Sequence, residues 1–122
     1  MTVREFYAAL DARFPCSLSW DWDNDGISCT ADLDASVSGI YISLDPTEDA
    51  VNAAIERGCN ILLTHHPMLF RGLKTVDGHD TGTRKVIRLI QNGVTAMAFH
   101  TRLRTSWAEV RRKIREFWRK RK

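Results

Sequence analysis

The spacing of apolar residues changes along the chain, and each change marks an element. Phe6, Ala9 and Leu10 recur at helical spacing behind Thr2, and Glu5 stands three residues after that threonine. This predicts a capped helix over Thr2–Arg13, ended by Phe14-Pro15. Residues 16–38 read as turn-rich, with Asp25-Gly26 as the strongest turn signal. Gly39–Leu44, rich in Ile and Tyr, predicts a short strand. Asp45-Pro46-Thr47 then opens a helix over Thr47–Arg57, with Val51, Ala54 and Ile55 on its apolar side and Gly58 at its end. Asn60–Thr64 is a second strand and residues 71–81 a loop. Thr83–Gln91 is an amphipathic helix carrying Val86, Leu89 and Ile90, closed by Asn92-Gly93, and Val94–Phe99 is a third strand. Thr105–Lys122 completes the pattern as a helix with Trp107, Val110, Ile114, Phe117 and Arg121 along one stripe.

Strand, helix, strand, helix, strand is the signature of parallel β-α-β units. Parallel strands finish at one edge of their sheet, where open α/β folds place their sites. The residues just past the three predicted strands are Asp45, His65-His66 and His100. If the strands are neighbours, about 5 Å apart, these groups share one cleft. One condition follows for the adjacent histidines. Successive side chains on a strand point to opposite faces, so the backbone must leave β geometry at His65 if both rings are to serve one site.

At 122 residues the chain is one domain, with the 43% hydrophobic and 27% charged composition of a soluble globular protein. No apolar run approaches membrane-spanning length, and Met1–Glu5 leads into a helix rather than a signal-peptide core. Cys16, Cys29 and Cys59 are an odd count without C-x-x-C spacing, which points to reduced thiols and a cytoplasmic protein. Cys59 reads as a small buried residue. The net charge of +3 conceals two parts: residues 102–122 hold ten Lys/Arg against Glu109 and Glu116, a charge of +8, so the first 101 residues carry −5.

Four stretches together are similar to a known family. They are Trp22-Asp23-Asn24-Asp25-Gly26-Ile27, Ile42-Ser43-Leu44-Asp45-Pro46-Thr47, Gly58 through Phe70 with its Thr-His-His-Pro-Met-Leu-Phe element, and Ala98-Phe99-His100-Thr101-Arg102-Leu103. In order and spacing, from about residue 5 to residue 103, the chain resembles the Nif-three-like family of dinuclear-metal-centre hexameric proteins, the GTP cyclohydrolase type 2 homologues. The resemblance implies a layered α/β fold, a site for divalent metal (Fe, Zn or Mn) and a ring-shaped homo-oligomer. It also implies metal-assisted hydrolysis of a small molecule, phosphorylated or nucleotide-like. On this resemblance His65 and His66 match the first metal ligands. His100 matches the opening residue of the family's His-Thr-x-Leu-Asp element. Arg104 stands where that element ends in a ligand Asp, and a guanidinium cannot ligate. The resemblance implies a further His and Glu from a C-terminal half that follows a longer chain. Residues 1–103 therefore read as the N-terminal part of a metal-binding domain, and residues 104–122 as a basic amphipathic tail unlike the family. A truncated product with a frame shift near residue 103 is the expectation, and a short variant with a recruited tail is the alternative.

The expected fold is α/β: a layered sandwich of β-α-β units with a mixed, partly parallel sheet and a basic C-terminal helix. His65 and His66 are the expected metal ligands. His100 reads as a group behind the ligands or facing the substrate, or simply as a strand-end histidine bonded to backbone. Asp45 carries the same two options, with a turn or helix-cap role favoured because it precedes Pro-Thr. His79 reads as exposed loop, Asp23, Asn24 and Asp25 as turn chemistry, and Trp20 and Trp22 as packing anchors. No residue is assigned as a general base, and catalysis in so short a chain is doubtful. The tail stripe is expected to cover core, in preference to a surface helix that meets nucleic acid or an anionic membrane. The competing function is that of a non-enzymatic interaction protein, binding nucleic acid or protein through its basic helix or oligomer surface.

Overall fold

The structure, a computed structural model, describes residues 1–14, 26–68, 75–100 and 106–121. The expectations for Cys16, for Trp20, Trp22 and Asp23 to Asp25, for the loop before residue 75 and for Arg104 lie outside the described residues.

The elements run α1 (Val3–Arg13), β1 (Gly26–Cys29), β2 (Ile40–Ser43), α2 (Glu48–Glu56), β3 (Ile61–Thr64), α3 (Thr81–Gln91), β4 (Thr95–Ala98) and α4 (Trp107–Arg121). The four strands form one mixed sheet in the order β1-β4-β3-β2. β2, β3 and β4 are parallel neighbours, and β1 joins β4 antiparallel. The adjacency required for a shared cleft is therefore met.

β1 falls in the stretch read as turn-rich, and the sheet corrects that reading. It is only four residues long, it begins on Gly26 at φ +112°, and its register shifts between Ile27 and Cys29. A bulged strand with a glycine at its head shows no clean alternation in sequence. α3 starts two residues earlier than expected, because Asp80 caps it by accepting from the backbone N–H groups of Gly82 and Thr83. Cys59 is half-buried rather than buried.

β3 and β4 are buried along their whole length, which explains why Ile-Leu-Leu-Thr and Thr-Ala-Met-Ala read as nearly continuous apolar runs. Alternate residues feed two cores. Ile61, Leu63, Met97 and Phe99 meet Val3, Phe6 and Leu10 of α1 and Val110, Ile114 and Phe117 of α4. On the opposite face Leu62, Val94 and Ala96 meet Ala50 and Val51 of α2 and Leu89 of α3. The chain thus stacks helices, sheet and helices in three layers.

The tail stripe lies in the first of these cores. Phe117 sits 6.1 Å from Phe6 between ring centroids, and Trp118 meets Phe6 edge-on at 6.4 Å. The charged side of α4 is turned to solvent, with Arg112, Lys113, Arg115, Arg119 and Lys120 exposed. Glu109 and Glu116 both pair with Arg112, which lowers the Glu109 carboxyl below its ordinary value and raises the Arg112 guanidinium.

The start of α1 follows the sequence closely. The Thr2 side chain accepts from Glu5 N–H at 3.1 Å, and the Glu5 carboxylate accepts from Thr2 N–H at 2.9 Å. Thr2→Ala removes half of this box and is expected to lower stability by about 1 kcal/mol in urea denaturation.

Candidate metal centre

The parallel register aligns Ser43, Thr64 and Ala98 at the same level, so the residues that follow each strand emerge at one edge. β3 ends at Thr64, and the backbone bends over His65 and His66. Thr64 Oγ1 donates to the His66 carbonyl at 2.7 Å, and His66 N–H donates to the Leu44 carbonyl at 3.1 Å. These bonds hold the chain out of β geometry where the sequence requires it. The two rings consequently lie side by side, with centroids 5.0 Å apart.

His100 leaves the neighbouring strand and joins them, 5.0 Å from the His65 ring and 5.4 Å from the His66 ring. All three rings are half-buried. Their candidate ligand nitrogens all lie within 4.8 Å of one another. Among the described residues this is the one group of His, Cys, Asp or Glu with metal-site spacing. His100 thus stands in the same cluster as His65 and His66.

Two of the imidazoles are oriented by partners that only accept. His65 Nδ1 lies 3.1 Å from the Phe99 carbonyl, and His66 Nδ1 is bonded to the Asp45 carboxylate. A carbonyl and a carboxylate offer no proton, so in each pair Nδ1 is the donor, and a neutral ring then keeps its lone pair on Nε2. A backbone carbonyl or carboxylate behind a ligating histidine is the usual support of a protein metal site. Asp45 therefore serves His66. The cap of α2 is Thr47, which accepts from Ala50 N–H at 3.1 Å. With side-chain exposures of 39% and 53%, the His66–Asp45 pair is too wet to add much stability, so its effect is on ring orientation.

The donor set fits a divalent cation. Three imidazoles suit Zn or Fe, whereas Mn favours oxygen ligands, and three protein ligands with one open position is the pattern of a reactive rather than a purely structural centre.

Two neighbours of the cluster were not singled out as site residues in the sequence. Trp107, the first residue of α4, stacks obliquely on His65 with centroids 5.2 Å apart and planes 36° off parallel. Lys85 of α3 lines a hollow of about 490 Å³ together with Asp45, Thr47, His66 and Met68. Trp107 heads the apolar stripe of the tail, which was the signal for it; a lysine on an amphipathic helix gives none. Cys29 and Cys59, the cysteines among the described residues, are not in the cluster. Burial pushes the Cys29 thiol up, partly offset by a backbone hydrogen bond at Ala96, and desolvation likewise raises Cys59. A raised thiol is a poor nucleophile, so thiolate chemistry at Cys29 or Cys59 is disfavoured. His79 is exposed, as expected of a loop residue.

Comparison with known proteins bears on the same residues. A GTP cyclohydrolase 1 type 2 homolog of Staphylococcus aureus is 36% identical over 104 residues, covering 84% of this chain and 28% of the relative. A homolog of the same name from Clostridium acetobutylicum is 34% identical over 103 residues, covering 84% of this chain and 38% of the relative. Among solved structures, Staphylococcus aureus protein SA1388 superposes with a TM-score of 0.79 at 35% identity, over 84% of this chain and 29% of its own. Reduced HcgD from Methanocaldococcus jannaschii superposes at 0.77 with 26% identity, over 84% of this chain and 41% of its own. The chain thus spans between 28% and 41% of the length of these relatives. α4 begins directly after the residues matched by the family model. That model, Duf34/NIF3 (NGG1p interacting factor 3), matches residues 1–106, and the chain belongs to that family.

Proposed function

We propose that His65 and His66, with His100 as the third imidazole, bind a divalent metal, and that this chain carries the metal-binding part of a Duf34/NIF3 hydrolase site. The observation that carries the reading is the convergence of three half-buried imidazoles, two of them with Nδ1 tied to an acceptor. A divalent cation held there would polarise a substrate oxygen as a Lewis acid. The chain's own residues do the rest: Asp45 and the Phe99 carbonyl orient the rings, and Trp107 covers one side of His65. The names of the curated relatives support a hydrolytic, nucleotide-related chemistry for the longer proteins. For this chain, hydrolysis, a homo-oligomeric ring and a cytoplasmic location are parts of the proposal. No helix among the described residues is long and apolar enough to cross a membrane.

The test is metal content. Chain purified without a histidine tag and stripped of loose metal by gel filtration is expected to retain about one Fe, Zn or Mn per chain by elemental analysis. His65→Ala/His66→Ala is expected to lose it. Equal metal in the variant, or none in either, defeats the reading.

The second reading is an interaction protein that binds a polyanion through the exposed Lys113, Arg115, Arg119 and Lys120 of α4. Binding to nucleic acid that weakens steeply with salt and needs no metal would support it. The membrane form of that reading loses its footing, because insertion needs the apolar stripe that Val110, Ile114 and Phe117 already bury in the core.

A further inference from the structure

β2 ends the sheet, and β3 pairs with one side of it. The Gly39 carbonyl accepts from Ile61 N–H at 3.2 Å. Backbone groups alternate in direction along a strand. Gly39, Tyr41 and Ser43 therefore turn theirs to β3, and Ile40 and Ile42 turn theirs outward. Among the described residues no strand pairs with that outward row. Such a row is a template for another strand.

Arginines border this edge on both faces. Tyr41 packs toward α2 and α3, and the Arg57 guanidinium lies over its ring, 5.4 Å from the centroid. Ile40 and Ile42 pack toward α1 and α4, and Arg115 of α4 lines a groove of about 190 Å³ along β2 together with Arg57. No carboxylate lines that groove. Among the described residues neither Arg57 nor Arg115 makes an ion pair. Arg111 precedes Arg115 by four residues and so stands on the same flank of α4. Its Nε is buried without a hydrogen-bond partner. A buried donor left unpaired is costly, and an acceptor brought to it relieves that cost.

We infer that the β2 edge docks an extended acidic segment of another protein, which joins the sheet as a fifth strand. Strand addition draws its affinity from backbone pairing and its selectivity from alternate side chains. Successive side chains of the segment point to opposite faces, so two adjacent acids meet Arg57 on one face and Arg115 on the other. A peptide suits this edge better than a nucleic acid does. The outward carbonyls of Ile40 and Ile42 need donors, and a phosphodiester backbone offers only acceptors. A second copy of this chain suits it poorly as well. Pairing β2 with β2 would bring the same arginines together, and Ile-Tyr-Ile-Ser carries no acid to meet them. Cations beside an edge commonly guard against such self-pairing. The inference does not depend on the metal centre.

Nuclear magnetic resonance titration of the full chain with the blocked peptide Thr-Val-Glu-Glu-Val-Thr tests it. The amide shifts of Ile40–Ser43 are expected to move at about millimolar peptide. Arg57→Gln/Arg115→Gln is expected to weaken binding about tenfold, through loss of two charge-assisted contacts. Both positions are exposed, and circular dichroism establishes that the variant is folded. The peptide with lysines in place of its glutamates, and the acidic peptide with every backbone amide methylated, are each expected not to bind. Equal binding of the acidic and lysine peptides would overturn the inference, as would undiminished binding of the methylated one. Shifts confined to the Lys113 and Arg119 side of α4 would mean non-specific attraction of an anion and would overturn it too. So would concentration-dependent self-association through the β2 amides, or no shift at all.

Discussion

Ile114→Asp is expected to leave the chain without a cooperative unfolding transition, whereas Lys113→Asp, one residue away, changes stability by no more than about 0.5 kcal/mol. Ile114 is 2% exposed and packs with Phe6, Leu10 and Phe99 in the α1/α4 core. Truncating such a side chain costs about 2–5 kcal/mol, and a carboxylate in its place adds the cost of burying an unpaired charge. Together these approach the whole stability of a small domain. Lys113 is on the solvent side of the same helix, so its substitution controls for helix propensity and charge. Urea denaturation followed by circular dichroism reads both variants. A normal transition for Ile114→Asp would mean that α4 does not dock on the sheet.

Phe99→Ala should lower stability by about 3–5 kcal/mol in the same measurement and disturb the site as well. The Phe99 ring is 1% exposed, and Tyr7 and Phe14 lie 5.8 and 6.5 Å from it between centroids. Its carbonyl receives His65 Nδ1. Both variants keep that backbone carbonyl, but Phe99→Leu also keeps most of the packing that holds it in place, and is expected to cost under about 1.5 kcal/mol. Metal content should therefore fall in the alanine variant and persist in the leucine variant. Equal metal content in the two variants, with the expected stability difference, would separate the core from the site.

The parts of this fold that were legible in the sequence are those where one physical cause dominates. The Ile61–Thr64 run reads as a strand because it is short, apolar and set between two helical patterns, and it is buried along its whole length in the parallel part of the sheet. Thr2 and Glu5 announced α1 because capping is local chemistry. The common edge of Asp45, His65, His66 and His100 followed from parallel strands alone. β1 was not legible, since a four-residue bulged strand is made by its partner β4 rather than by its own pattern. The bond between Asp45 and His66 was not legible for a related reason: Asp before Pro-Thr looks like a cap, and only the fold brings His66 to its carboxylate, 21 residues away in the chain. The place of His100 in the cluster depended on a distance between strand ends, and Lys85 on a helix facing the cluster from another layer. Neither leaves a trace in local spacing.

The level alignment of Ser43, Thr64 and Ala98 makes the sheet a ruler for the site. Each residue of strand advances the chain by about 3.3 Å, more than the roughly 2.1 Å that separates a ligand nitrogen from its ion. One residue added to or removed from β2, β3 or β4 would therefore carry Asp45, the His65-His66 pair or His100 out of step with the others. It would also turn the following side chain to the other face. Tolerance of length change in this chain should thus be sought in its loops, while strand length, more than strand sequence, sets the dimensions of the centre.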